Sequence, residues 1–268
     1  MVNEELLKAV KKAKCFLLDM DGTIYLDNDL FDGTVDFLDK VKAEGGKYLF
    51  LTNNSSKGAD AYVKKLQSLG INADVQDFLT STDATILYIK QNYPNVKFYV
   101  MGTESFVSQL KDEGVSVTTE LYGDVTGLII SNDTELTFKK LDDASRLLTR
   151  GVIYIATNPD WVCPTSYGYA PDCGSFAEML KRATGKEPYF IGKPKPQMLL
   201  VAMERYGYKK CETVMIGDRL YTDIASGVNA GVDTVFVLSG EGTLKDLAES
   251  NFKPTHVMKN IREVYTEL

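Results

Sequence analysis

The chain has 268 residues, 44% of them hydrophobic and 25% charged, which is enough for one large domain or a core with a second domain and excludes disorder. The formal net charge of −7 implies a surface that repels nucleic acid and anionic lipid, so local groups must bind any anionic substrate. The sequence has no secretory signal and no run near the ~18 apolar residues that a membrane span needs, so we expect a cytoplasmic protein without nucleic-acid or membrane partners.

The four cysteines show no C-x-x-C spacing; they are Cys15, Cys163, Cys173 and Cys211. We expect free thiols in a reducing compartment, with a disulfide between Cys163 and Cys173 as the alternative.

From Cys15 onward, short apolar runs alternate with helical patterns, which is typical of an α/β fold with a doubly wound parallel sheet. Core strands are predicted at residues 15–20, 48–52, 189–191, 213–217 and 234–238, with an edge strand at 256–258. Helices are predicted at residues 34–44, 57–69, 196–206 and 223–229, after a short surface helix over residues 1–8.

The middle of the chain repeats this alternation between residues 79 and 185. Strands are predicted there at residues 97–100, 127–131 and 152–157, and helices at 104–112 and 138–149. This is enough material for a second, smaller α/β domain.

The first predicted strand ends abruptly in Asp19-Met20-Asp21-Gly22-Thr23. Ligands of open α/β sheets bind at the carboxyl ends of strands, so Asp19 and Asp21 converge on one site if the chain turns at Gly22. Taken alone, the motif is equally typical of an acidic turn.

Three later strands also end in polar groups: Thr52-Asn53-Asn54 offers a phosphate cradle, Lys193 stands between Gly192 and Pro194, and Gly217-Asp218 is followed by Asp223. Each has an ordinary explanation, respectively an N-cap, a solvent-facing lysine and an acid at a helix start. Their common position at strand ends favours a shared catalytic site.

These residues resemble the four motifs of the haloacid dehalogenase superfamily, over the whole chain. The short spacing from Asp19 to Thr52 leaves no room for a cap domain, whereas the long stretch from Thr52 to Lys193 does. The pattern is similar to the NagD-type, p-nitrophenylphosphatase-like subfamily with its type II cap. The resemblance implies a catalytic core of residues 1–80 and 184–268 and an inserted cap of residues 81–183.

By resemblance, Asp19 attacks phosphorus to form an aspartyl phosphate, and Asp21 protonates the leaving oxygen and then activates water. Lys193 takes part in catalysis and, with Thr52, Asn53 and Asn54, holds the phosphate. The expected cofactor is Mg²⁺, bound by Asp19, Asp218 and the backbone carbonyl of Asp21. Asp223 is expected to orient Lys193 or a water on the metal.

The expected activity is hydrolysis of small phosphorylated metabolites: sugar or sugar-acid phosphates, nucleoside monophosphates or aryl phosphates. The aromatic segment 160–174 is expected to set specificity, or else to be an ordinary packed loop. Pairing of two copies through the cap is a further expectation. Alternatives are a phosphotransferase or mutase of the same superfamily and, from another class, a receiver-like phospho-accepting module.

Overall fold

The computed structural model describes residues 11–56, 58–165 and 168–268, which divide into two compact units. The first unit contains the described residues up to Thr52, Ala59–Leu79 and Lys193–Leu268, and the second contains Asn53–Gly58 and Thr80–Gly192. This division differs from the sequence-predicted one at residues 53–58, 80 and 184–192. The predicted roles of core and cap stay predictions.

The strands, labelled β1 to β15 in chain order, are Cys15–Leu18, Tyr25–Leu26, Asp29–Leu30, Lys47–Thr52, Phe78–Thr80, Phe98–Met101, Val117–Thr118, Gly127–Ile130, Ile153–Ala156, Val162–Thr165, Gly168–Pro171, Tyr189–Phe190, Thr213–Gly217, Asp233–Val237 and His256–Met258. The α-helices, labelled α1 to α10, are Thr34–Ala43, Ala59–Ser68, Ser81–Asn92, Glu104–Asp112, Phe138–Thr149, Cys173–Thr184, Gln197–Tyr206, Ala225–Ala230, Leu244–Glu249 and Ile261–Glu267.

The first unit is built on a six-stranded sheet in the order β15-β14-β13-β1-β4-β5. Strand β1 is central and pairs in parallel with β13 and β4, so that Leu17 lies opposite Met215 on one side and Leu49 on the other. All four residues of β1 are buried, because a central parallel strand has both faces covered. One face packs on α1, where the rings of Phe16 and Phe37 meet edge to face at 5.4 Å.

The second unit is built on a five-stranded sheet in the order β12-β9-β8-β6-β7, with parallel pairing between neighbours. Its core is formed by apolar residues of the central strands and of α5 and α6, among them Leu128, Leu147 and Leu180. Strands β10 and β11 form a separate antiparallel hairpin within the segment predicted to set specificity.

The α/β class with parallel sheets is confirmed, and α4 and α5 have the predicted bounds. One strand prediction is wrong: Tyr189 and Phe190 were assigned to the core sheet but pair with Ile155 and Ala156 of β9 in the second sheet. A strand of two residues carries no signal about its partner. Helices α3, α6, α9 and α10 were not among the predicted ranges. The helix predicted at 57–69 spans Ala59–Ser68, and residues 1–8 and Lys57 lie outside the described residues.

The four cysteines are free thiols, so the alternative of a disulfide between Cys163 and Cys173 is wrong. Within the described residues, no helix has the length and apolar character to cross a membrane.

Candidate active site

The two acids of the first motif follow the central strand β1. Glycine 22 has φ +86°, a left-handed conformation that turns the chain back, and its N–H donates to the carbonyl of Tyr25 at 2.8 Å. A side chain at Gly22 would also collide with Asp218, since an added Cβ would lie 2.4 Å from Oδ2 of that residue. The turn therefore brings the first motif directly against the last one.

Lys193 connects the first and last motifs. Its ammonium group donates to Oδ1 of Asp19 at 2.6 Å and to Oδ1 of Asp223 at 2.7 Å, and its side chain is only 3% exposed. Burial alone would lower the pKa of Lys193, but the two carboxylates outweigh it and raise the pKa above its ordinary value. The lysine is thus held as a cation beside Asp19.

Lys193 reaches this place by a different route from the one predicted. It follows β12 of the second sheet rather than a core strand, although the lysine itself belongs to the first unit. The lysine contacts Asp19 and Asp223 although the strand before it was assigned to the wrong sheet.

Three carboxylates, those of Asp19, Asp218 and Asp223, bring one oxygen each within 4.8 Å of one another. Burial, reinforced by the charge of Asp19, raises the pKa values of Asp218 and Asp223. Asp223 sits in a π-helical turn, Leu220–Ile224, and its two oxygens already accept from Lys193 and from the N–H of Arg219.

Asp218 differs from Asp223, because its Oδ1 is buried and has no hydrogen-bond partner among the described residues. Its Oδ2 accepts from the N–H of Glu241 at 2.7 Å. Buried carboxylate oxygens need a partner, and a hard cation such as Mg²⁺ is the partner that this cluster of oxygens fits. Both oxygens of Asp223 thus accept hydrogen bonds, whereas Asp218 has one oxygen open to a cation.

Asp21 lies beside this cluster with its side chain 59% exposed. Loss of hydration and the charge of Asp19 raise its pKa, while the ammonium of Lys65, 3.7 Å away, works in the opposite direction. The hydroxyl of Tyr25 donates to Asp21 at 3.4 Å, and Lys65 also stands over the ring of Tyr25. An accessible carboxyl with a raised pKa has the properties of a general acid.

The residues of the predicted phosphate cradle fall in different units. Thr52 ends β4 in the first unit, whereas Asn53 and Asn54 group with the second. The amide of Asn53 donates to Asp160, and the side-chain oxygen of Asn54 accepts from the N–H and hydroxyl of Ser56. Their predicted part in phosphate binding stays a prediction.

Several contact residues of this site were not predicted: Tyr25, Lys65, Arg219 and Glu241. Only Arg219 carried a usable signal, because it follows the metal-ligand candidate Asp218 directly in the sequence. Glu241 lies in a Gly-Glu-Gly segment, a composition typical of a turn, and its contact with Asp218 depends on the pairing of β13 with β14.

Comparison with known proteins shows which family the chain belongs to. A family model for haloacid dehalogenase-like hydrolases matches residues 16–116, and a second, HAD-hydrolase-like model matches residues 190–264. The acid sugar phosphatase of Staphylococcus aureus strain MRSA252 is 35% identical over 97% of this chain and 99% of its own length.

Two solved structures extend the comparison to three dimensions. A 4-nitrophenylphosphatase from Thermotoga maritima has a TM-score of 0.91 and 36% identity, covering 96% of this chain and 98% of its own. A glycerol phosphate phosphatase from Mycobacterium tuberculosis, solved in complex with magnesium, has a TM-score of 0.88 and 28% identity, covering 96% and 78%. The chain therefore belongs to the haloacid dehalogenase-like hydrolases, in their NagD and p-nitrophenylphosphatase branch, and is a phosphatase that hydrolyses phosphoric monoesters.

Proposed function

We propose that this phosphatase acts on small phosphorylated metabolites and transfers their phosphoryl group first to Asp19 and then to water. The observation that carries the proposal is the buried ammonium of Lys193, 2.6 Å from Asp19 Oδ1, beside the acid Asp218. A fixed cation next to one carboxylate holds that carboxylate in one orientation, as attack on phosphorus requires.

In the first step, a carboxylate oxygen of Asp19 forms a bond to phosphorus while the bond from phosphorus to the ester oxygen breaks. Asp21 gives its proton to that leaving oxygen, so the product departs as a neutral alcohol. In the second step, Asp21 takes a proton from water as the water oxygen attacks phosphorus, which frees Asp19 and inorganic phosphate. Lys193 holds Asp19 in position through both steps, and Asp223 holds Lys193.

The cofactor we propose is Mg²⁺, held by Asp19, Asp218 and the backbone carbonyl of Asp21. The unpartnered Oδ1 of Asp218 supports this assignment, and the magnesium complex of the mycobacterial relative supports the choice of cation. When bound, the cation supplies positive charge that offsets the repulsion between an anionic nucleophile and a phosphate dianion.

We extend the proposal to phosphate contacts from Lys193 and from the hydroxyl of Thr52, which ends β4. Asn53 and Asn54 keep their predicted role in phosphate binding. The second unit, with the hairpin of β10 and β11, is proposed to act as the cap that selects the substrate.

The substrate class we propose is sugar and polyol phosphates. The names of the relatives support it, since they include an acid sugar phosphatase and a glycerol phosphate phosphatase. Trp161 and Tyr169 of the hairpin region are exposed and offer aromatic faces on which a sugar ring can stack.

The test is release of inorganic phosphate from a panel of sugar, polyol, nucleotide and aryl phosphates, with Mg²⁺ and with a chelator. We expect release from sugar or polyol phosphates that needs Mg²⁺ and is absent in Asp19→Asn. Transfer of the phosphoryl group to a second sugar instead of water would identify a phosphotransferase, and release undiminished by the chelator would contradict the metal assignment.

A further inference from the structure

The segment after β14, Ser239 to Gly242, wraps closely around the end of β13. The hydroxyl of Ser239 donates to the carbonyl of Gly22 at 2.7 Å, and the N–H of Gly242 donates to the carbonyl of Asp218 at 3.1 Å. Gly240 packs so tightly that an added Cβ would lie 2.0 Å from Oδ2 of Asp218. The position therefore excludes any side chain.

The middle residue of this segment contacts the metal-ligand candidate directly. The N–H of Glu241 donates to Oδ2 of Asp218 at 2.7 Å, which leaves Oδ1 as the oxygen available to a cation. The position of this N–H fixes the rotation of the carboxylate and hence the direction in which Oδ1 points.

The side chain of Glu241 returns to the chain just after Asp218. Its Oε2 lies 2.9 Å from Nε of Arg219, and its Oε1 accepts from the hydroxyl of Tyr221 at 2.9 Å. Residues 219 and 221 thus hold the side chain of Glu241, whose own N–H holds Asp218. These contacts connect two separate segments of the chain. We call the three residues that make them the Glu241 clasp: Arg219, Tyr221 and Glu241.

The energy of the clasp as an ion pair is small, because the side chain of Glu241 is 53% exposed. Its effect is therefore expected on geometry rather than on stability. Glycines flank Glu241 on both sides, so its backbone has few restraints of its own. Without these contacts, the segment gains freedom, and the N–H that orients Asp218 moves with it.

We propose that Glu241 is a positioning residue for Mg²⁺, acting through its N–H on Asp218 and held in place by Arg219 and Tyr221. This inference rests on the proposed metal site. Its test is the dissociation constant of Mg²⁺, measured by isothermal titration calorimetry without substrate, on the wild type, Glu241→Ala, Glu241→Gln and Glu249→Ala. The last variant is a control for charge, because Glu249 is an exposed acid at the end of nearby α9.

We expect Glu241→Ala to weaken Mg²⁺ binding about tenfold, with kcat at saturating Mg²⁺ changed less than about twofold. Glu241→Gln, which keeps a side-chain oxygen for Tyr221, should restore most of the affinity, and Glu249→Ala should bind like the wild type. Equal losses in Glu241→Ala and Glu241→Gln would show a pure charge effect and overturn the inference, as would wild-type affinity in Glu241→Ala. A wild type that binds no Mg²⁺ would overturn the proposed metal site itself, and the inference with it.

Discussion

At the scale of single residues, the two acids of the first motif have different surroundings and therefore different tasks. Asp19 accepts a hydrogen bond from the buried ammonium of Lys193. Asp21 is exposed and has a raised pKa, which favours a proton on it. Two neighbouring carboxyl groups, one fixed by a buried cation and the other accessible with a raised pKa, are suited to act as nucleophile and acid.

The role of Asp21 predicts a dependence on the leaving group. Asp21→Asn should slow hydrolysis of alkyl phosphates, including sugar phosphates, on the order of 100-fold, because their alkoxide needs a proton to leave. Aryl phosphates leave as stabilised phenolates, so their first step should slow far less. Burst kinetics with 4-nitrophenyl phosphate and steady-state rates with a sugar phosphate measure the two cases, and equal losses would argue against Asp21 as the acid.

The buried lysine predicts a combined loss of activity and stability. Lys193→Ala leaves the carboxylates of Asp19 and Asp223 without their cation, so we expect turnover to vanish and the free energy of unfolding to fall by about 3 kcal/mol. Lys195→Ala, two residues later at an exposed position, is the matched control. Denaturant unfolding followed by circular dichroism measures the difference, and a Lys193→Ala protein as stable as the control would contradict the buried charge network.

At the scale of secondary-structure elements, the start of α6 carries a buried acid. Asp172 is the N-cap of this helix, is 3% exposed, and accepts from the N–H of Cys173 and from the amide of Asn132. Burial raises the pKa of Asp172 to about 6. The folded protein therefore binds this proton more tightly than the unfolded chain, whose carboxyl group has the ordinary value of 3.8.

The sign of the resulting effect on stability follows from that difference. A raised pKa contributes stability that is fully present below pH 3.8 and lost as the pH rises through about 6, because the buried group must then ionise. Asp172→Asn keeps a capping oxygen and cannot ionise. We expect the variant to gain stability relative to the wild type at pH 8 and to lose most of that advantage as the pH falls to about 4, as measured by denaturant unfolding. A difference in the free energy of unfolding between the two proteins that does not change with pH would contradict the raised pKa of Asp172.

Elements also show how far sequence could predict the fold. Long runs with a clear period, such as those of α4 and α5, were placed correctly because their pattern is local. The position of Tyr189 and Phe190 in the second sheet was not predicted, because strand pairing depends on contacts between residues distant in sequence. The antiparallel hairpin of β10 and β11 was missed for another reason, since its two prolines and its glycine are typical of an irregular loop.

The residues of the candidate site also divide into those that the sequence predicted and those that it did not. Asp19, Lys193, Asp218 and Asp223 were predicted because each follows a strand in a recognisable motif, and the structure brings all four together. Glu241 and Lys65 have no motif of their own. They join the site only through tertiary packing, on the segment after β14 and on α2 respectively.

At the scale of the whole molecule, the chain combines two parallel-sheet units of similar construction with one set of catalytic motifs. The carboxylates and the lysine of those motifs all lie in the first unit. The second unit carries its own core and its own exposed aromatic hairpin. This separation predicts that chemistry and substrate choice can be altered independently.

Variants of the hairpin test whether substrate choice can change independently of the chemistry. Trp161→Ala and Tyr169→Ala, both at exposed positions, should raise KM for sugar phosphates several-fold through lost stacking and leave Mg²⁺ affinity unchanged. Tyr122→Ala, an exposed tyrosine elsewhere in the second unit, is the control. Steady-state kinetics with the preferred sugar phosphate give KM, and titration with Mg²⁺ gives the metal affinity. An unchanged KM in both hairpin variants would exclude the hairpin from substrate recognition.

The central claim is that the phosphoryl group passes through Asp19, and trapping that intermediate tests it most directly. In Asp21→Asn, an aryl phosphate should still phosphorylate Asp19, while hydrolysis of the intermediate is slowed, so that the acyl phosphate accumulates. Acid quenching followed by borohydride reduction would convert a phosphorylated aspartate to homoserine, which peptide mass spectrometry locates. We predict homoserine at position 19, dependent on substrate and Mg²⁺; its absence there, or its presence at another carboxylate, would contradict the account.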